Sequence, residues 1–368
     1  MSRRRATLRF AIILVGLFVV VCGLLSLHPR VQYVIGAATV QLDLLWGRVP
    51  VEDAIAAGHY TPAQAERLRQ IPAIKQHAKK IGLADTGHYT TINPDWDETI
   101  WNVSACEELS FTPRTWWFPI VGTVPYLGYF DEAEAREEAA GLEAEELDVY
   151  VRTAGAWSTL GWFEDPVLPK MMTWPETRLA DTLHHELTHA TVWIPGSVAF
   201  NESLANYVGR EAGLAFIIEK YGEDHAIVQK EIAYRADRQV YMDLMRQVYE
   251  DLDAVYSDDA LTDVQKRSKK QAILSGLSDR AAQAPFKDAA RWQVWFEKDP
   301  WNNARLVQFR VYNRSPAWFD EIRRQEGGNI GAFLTRIEAI AAGSSDPYRA
   351  LAEAAGVDPS TLGDEPVR

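Results

Sequence analysis

Asp181-Thr-Leu-His-His-Glu-Leu-Thr-His-Ala190, with the segment Ser197-Val-Ala-Phe-Asn-Glu-Ser-Leu-Ala-Asn-Tyr207 that follows it beyond Ile194-Pro195-Gly196, decides how this chain is read. Within the first stretch, His185-Glu-Leu-Thr-His189 is an HExxH pattern. On a helix, residues four apart stand one turn above each other on the same face, so two imidazoles so spaced can converge on one ion. Glu186 cannot easily take up that same position. It can reach a water held there, which is what a general base must do. His184 faces about 100° away from His185 and is read as structural.

The helix itself is well signalled. Thr173-Trp174-Pro175-Glu176 offers a cap, a proline in the first turn and an acid at the positive end. Leu179, Leu183 and Leu187 form an apolar stripe, and Ile194-Pro195-Gly196 stops the helix. A catalytic zinc site needs a third protein ligand. If the chain reverses at Pro195-Gly196, His189 lies roughly six residues before the turn and Glu202 about six after it. At about 1.5 Å per residue both travel the same distance along antiparallel axes. Glu202 therefore arrives level with the histidines and completes a His₂Glu set, which favours one Zn²⁺ ion. Asn201 either caps the second helix or binds a peptide backbone, and the cap is preferred. His59, His77, His88 and His225 stand isolated in the sequence and are read as surface or packing residues.

Outward from the motif, the chain reads as α+β and mainly helical. Residues 51–82 are helical in pattern, with Thr61 as a cap before Pro62. Residues 98–130 are rich in aromatic and β-branched residues with Pro and Gly punctuation, which predicts short strands and a hairpin. Asp131 to Glu146 reads as a helix, Leu147 to Thr153 alternates like a strand, and 155–168 reads as a loop. Helices dominate from 175 to 342, with 257–285 polar and loosely packed, and 343–368 reads as a flexible tail. The expected organisation is a signal segment at 1–28, one zinc peptidase domain at 29–342 (β-rich over 98–168), and the tail.

The N-terminus has a character of its own. Phe10 to Leu27 contains no charge across 18 residues, just enough to cross a membrane, and Arg3, Arg4, Arg5 and Arg9 precede it. No small-x-small cleavage site follows, so a retained signal-anchor helix is expected, with the body facing the periplasm or cell exterior. Lipidation at Cys22 is the lesser alternative. Cys22 and Cys106 are the only cysteines, so no disulfide framework exists. The formal net charge is −13 despite those arginines, which disfavours nucleic acid as a partner. Composition is otherwise ordinary for a globular protein, at 47% hydrophobic and 24% charged, so it excludes disorder and little else.

The blocks around the motif resemble the bacterial predicted-aminopeptidase family of HExxH type, within the gluzincin class. The likeness runs over roughly residues 50–340. It is carried by Trp101-Asn102-Val103, Thr115-Trp116, Phe118-Pro119-Ile120, Pro125-Tyr126, Gly128-Tyr129-Phe130, Ser158-Thr159-Leu160-Gly161, Asp165-Pro166-Val167-Leu168 and Asn302-Asn303-Ala304, besides the motif. It implies a zincin-like fold, His185, His189 and Glu202 as zinc ligands, Glu186 as the catalytic residue, and a secreted or lipid-anchored location. The chain departs from the family where it has Trp117 and Thr123 in place of cysteines, and where Val21 precedes Cys22 instead of a small residue.

The expected function is hydrolysis of peptide bonds, as an aminopeptidase, on a peptide or protein substrate. Zinc would polarise the carbonyl and acidify water, with Glu186 moving the proton. A second donor for the oxyanion is sought among Tyr126, Tyr129, Tyr207 and Tyr312. The strand 147–153 and the loop 158–163 are expected beside the cleft, with Trp116, Trp117, Trp157 and Trp162 as core or as pocket lining. The alternatives are a zinc endopeptidase or amidohydrolase, and a non-catalytic membrane-tethered metal-binding scaffold, which has no need of Glu186.

Overall fold

The protein is described from a computed structural model covering residues 29–118, 122–154, 164–298, 300–312 and 316–357. Helix accounts for about 63% of it, so the fold is α+β and mainly helical. Helix α1 (Pro29–Trp46) leads into the short strand β1 (Val49–Pro50) and three short helices, α2 (Val51–Ala56), α3 (Pro62–Arg69) and α4 (Ile71–Lys80). Thr61 caps α3 as expected, in a reciprocal box with Gln64.

Strand β2 (Thr91–Ile92) pairs with β1, and Ile92 also bridges Val167 just ahead of the HExxH helix. The central sheet has the order β6-β3-β7, all antiparallel: β3 (Trp101–Cys106) lies between β6 (Leu127–Tyr129) and β7 (Asp148–Thr153). A separate hairpin of β4 (Trp116–Phe118) and β5 (Gly122–Val124) sets Trp117 opposite Thr123. The two positions where the resemblance implies cysteines are therefore cross-strand partners. Helix α5 (Glu132–Ala144), capped by Asp131, covers the sheet through Ala135, Ala139 and Leu142.

A 3₁₀ turn (Pro169–Thr173) precedes α6 (Glu176–Thr191), which carries the motif. Thr173 is not its cap. The Thr173 hydroxyl donates to Lys170 O within the turn, and Pro175 stands at the cap position with no side-chain bond. Helix α6 ends at Thr191, before the Pro-Gly turn, because Val192 is already extended. Its stripe splits between two cores. Leu179 and Leu183 pack with Leu68, Ile74, Met171 and Ile217, whereas Leu187 packs with Phe200, Leu204, Phe319 and Phe333.

Helix α7 (Val198–Tyr221) returns antiparallel to α6 and α8 (Ala226–Tyr256) follows. Then come α9 (Asp263–Ser275), α10 (Leu277–Gln283), α11 (Ala289–Glu297), α12 (Asn303–Tyr312), α13 (Pro316–Gln325), α14 (Ile330–Ala341) and α15 (Pro347–Ala354). Two expectations are corrected here. Residues 257–285 are two helices, and Leu277, Ala281 and Phe286 join an aromatic core with Tyr256, Trp292 and Phe296. The segment after Gly343 is no loose tail up to Ala354, since Tyr348, Leu351 and Ala352 of α15 are buried against α7, α13 and α14. Polarity hid both, because each segment is amphipathic and only its inner face is apolar. Among the described residues no helix is long and apolar enough to cross a membrane. The run 10–27, Cys22, the tail beyond 357 and the loop residues 158–163, with Trp157 and Trp162, lie outside the described residues.

Candidate metal centre

The site depends on how closely α6 and α7 approach. A side chain at Gly209 would bring its Cβ to 2.6 Å from Asp181 O and 3.0 Å from the His185 Cβ. One turn on, a Cβ at Gly213 would stand 2.9 Å from Asp181 N. The absent side chains let two backbones touch next to the first histidine. The reversal between the helices uses Gly196 at φ +76°, a conformation that favours glycine. It is clasped by Asn201, whose Oδ1 accepts from Ile194 N at 2.9 Å while its Nδ2 donates to Ile194 O at 2.8 Å. Asn201 is therefore neither a helix cap nor free for a peptide. It is buried and ties the turn to the first helical residues after it.

The consequence is convergence. His185 Nε2 and His189 Nε2 are 3.1 Å apart, His185 Nε2 is 3.5 Å from Glu202 Oε2, and His189 Nε2 is 3.6 Å from Glu202 Oε1. Among the described residues, these three form the one group of histidines, cysteines and carboxylates that could hold an ion. Ligand atoms on a tetrahedral centre with bonds of about 2.0–2.1 Å stand about 3.4 Å from one another. The three edges fit that requirement. The side chains remain 15%, 9% and 15% exposed, so the group sits in a hollow that solvent reaches.

Electrostatics match the arrangement. Burial acts to lower the His185 imidazole, but Glu202, Glu186 and a hydrogen bond to Asn206 outweigh it and leave it raised. Burial acts to raise Glu202, and His185, His189 and Arg152 outweigh it and hold the carboxyl low. His189 is pushed down to about 4 by burial, and its Nδ1 has no hydrogen-bond partner. Glu186 is pushed up to about 7 by burial, with Glu202 and Asp165 adding to the effect.

The structure also brings in residues that spacing did not signal. Asn206, one turn after Glu202, bonds the His185 ring, and its position four residues beyond a ligand was the available clue. Trp193 packs edge-on to His189, its ring centre 5.5 Å away. Arg152 on β7 lies within electrostatic reach of Glu202 and donates to Gln308 Oε1 at 3.1 Å.

His88 and His77 are not isolated. His88 Nδ1 accepts from the Asp165 backbone N–H at 3.0 Å and stands 3.4 Å from the Asp165 carboxylate. In the neutral ring that accepting nitrogen leaves the proton on Nε2. Both residues act on the charge of Glu186. Tyr89 beside them has φ +62°, unusual for a bulky residue, and is held there by its N–H donating to Asp165 O at 2.7 Å. His77 pairs with His184 on the far face of α6 at 2.9 Å.

Of the three candidate oxyanion donors whose side chains are described, Tyr126 is the one within electrostatic reach of Glu202 and Glu186; it is half-buried, and burial pushes its hydroxyl up to about 12. Tyr207 donates to Asp320 at 2.7 Å in another core, and Tyr129 packs on Tyr33. The Tyr312 side chain lies outside the described residues. Trp116 is buried under the hairpin, and Trp117 is exposed away from it.

Fold and site together define a mainly helical α+β protein whose HExxH helix and the helix after it present a candidate metal centre. The chain belongs to the family described as "Putative aminopeptidase", whose model matches residues 32–350. No curated protein and no solved structure matches it.

Proposed function

We propose that the protein is a zinc-dependent peptidase of gluzincin type, acting as an aminopeptidase, with His185, His189 and Glu202 holding one zinc ion and Glu186 as the catalytic base. The observation that carries the reading is the meeting of three ligand atoms within 4.8 Å of one another, with a fourth, non-ligating carboxyl beside them. The donor set fits zinc in ligand type, spacing and partial exposure. When bound, zinc supplies Lewis acidity that polarises a carbonyl and acidifies water.

The rest is work for the chain's own residues. Glu186 accepts a proton from the attacking water and returns it to the leaving amine. Burial raises its proton affinity above that of an exposed carboxyl, which favours taking the proton. Tyr126, which keeps its proton, is a hydroxyl donor for the developing oxyanion. His88 lies within electrostatic reach of the Glu186 carboxyl. Asn206 orients the His185 ring, and Trp193 walls one side of the hollow. Membership of the family supports the aminopeptidase reading over an endopeptidase. Glu186 argues against a purely structural metal site, which has no use for a base.

The test is Glu186→Gln. It should keep one zinc per chain by elemental analysis and lose about 10³-fold or more in kcat on a mixed peptide library read by mass spectrometry. Products trimmed one residue at a time from the N-terminus are expected from the wild type. Undiminished turnover in the variant removes Glu186 from its role, and internal cuts replace the aminopeptidase assignment.

A further inference from the structure

We propose that the outward face of α1 lies flat on a lipid bilayer. The helix has two sharply different sides. Leu44 is buried to 1% exposure, and the Tyr33 ring packs on Phe118 and Tyr129 while its hydroxyl accepts from Gly128 N at 2.9 Å. On the other side Ile35, Leu42 and Trp46 are 52%, 51% and 85% exposed, and Ala38 and Thr39 between them are exposed too. At 100° per residue these positions form one stripe along successive turns. Isolated exposed apolar side chains are ordinary, but a stripe is not. Three of the ten large hydrophobic residues exposed among the described ones stand on this one helix.

Two features identify the occupant. The first is charge. Between Arg30 and Arg48 the only charged residue is Asp43, exposed at the edge of the stripe one turn after Thr39, so the stripe itself is apolar and meets water along that edge. The second is position. The uncharged run Phe10 to Leu27, with four arginines ahead of it, ends with only His28 before α1 begins at Pro29. A residue spans at most about 3.6 Å. If that run enters a bilayer, α1 starts at its surface. A helix of 18 residues, about 27 Å long, with one apolar face on the protein and the other outward, then lies in the interface with Trp46 at the level that tryptophan favours.

The placement bears on the site. The inner face of α1 rests on β6, whose Gly128 is two residues from Tyr126, and Tyr126 lies within electrostatic reach of Glu202 and Glu186. A helix fixed on the membrane therefore fixes one wall of the hollow relative to it.

The inference rests on residues 10–27 entering the bilayer, and the test separates the two. The full chain, carrying Cys22→Ser, is reconstituted with phosphatidylcholine vesicles and labelled with a nitroxide at Ala38→Cys, at Leu42→Cys, or at the control position Glu143→Cys on α5. Accessibility to oxygen and to a water-soluble nickel chelate is read by spin resonance. The expected result is co-flotation, with oxygen favoured over nickel several-fold more at positions 38 and 42 than at 143, unchanged in high salt because the contact is apolar. Failure to float overturns the anchor and the inference with it. Flotation with water-like labels at 38 and 42 overturns the inference alone. Exclusion of both reagents also overturns it. Spin–spin broadening that grows with protein density then assigns the stripe to a second copy, and its absence assigns it to a segment of the same chain.

Discussion

His184 and His185 are neighbours on one helix and live in different chemistries. On the face of His184, every ring nitrogen is accounted for by protein. Its Nδ1 donates to Ala180 O at 2.8 Å, which leaves Nε2 to accept from His77 Nδ1 at 2.9 Å. Burial holds it neutral, pushed down to about 4. On the face of His185, three lone-pair-bearing atoms from His185, His189 and Glu202 point at one another, an arrangement that protein alone leaves half satisfied. The same side chain, turned by about 100°, is a structural strut on one face and a candidate ligand on the other. Identity of residue does not assign the role; the partner set does.

The sharpest way to break that contrast is to remove one member of each set. Glu202→Ala should lower zinc affinity by at least about 100-fold and abolish hydrolysis with it, measured by chelator competition. His184→Gln should leave one zinc per chain. Equal loss in both variants would mean that the two faces are not chemically distinct.

How much of this was legible beforehand follows from what kind of contact each feature is. The HExxH spacing and the distance from His189 through Pro195-Gly196 to Glu202 are local, and helix geometry turned them into a meeting point. The α+β order and the strands over 98–130 followed from composition. The pairs His77–His184 and His88–Asp165 join residues 107 and 77 positions apart, and no periodicity announces such a contact. The glycines of α7 were legible as residues but not as contacts, because their meaning lies in Asp181 across the interface. Asn201 went wrong for a related reason: an Asn near a helix start suggests a cap, but the helix begins at Val198, earlier than that reading required.

Those glycines give the next test, which strikes the ligating face through packing. Gly213→Ala drives a methyl group into the Asp181 carboxylate, which Arg235 holds, and to 2.9 Å from the Asp181 backbone N, and should cost about 1–3 kcal/mol in chemical denaturation. The same change at Gly141 on the outside of α5, where a Cβ meets nothing within 4 Å, should cost no stability.

The structural face has a pH signature of its own. The folded protein keeps His184 neutral down to about 4, whereas the unfolded chain takes up a proton near the ordinary value of 6.5. A base held low in the folded state contributes stability that is complete above 6.5 and lost as pH falls towards 4. Between pH 8 and pH 5 this amounts to about 2 kcal/mol. His184→Gln should remove that part of the pH dependence, whatever its effect at pH 8. A slope equal to that of the wild type would show that the pair with His77 takes up its proton in the folded state.

The smallest effect is expected where the two faces share a helix partner. Asn206 is not among the three candidate ligands; it hydrogen-bonds the ring of one of them, His185. Asn206→Ala should weaken zinc binding by about tenfold, the lower end of what outer partners contribute, with one zinc still bound at saturation. Asn206→Asp supplies an acceptor in place of the amide and should restore the affinity in part, because a carboxylate behind a ligating imidazole strengthens it as a donor. If Ala and Asp bind zinc alike, the contact only fills space, and the ligating face owes its geometry to the glycine-packed helices alone.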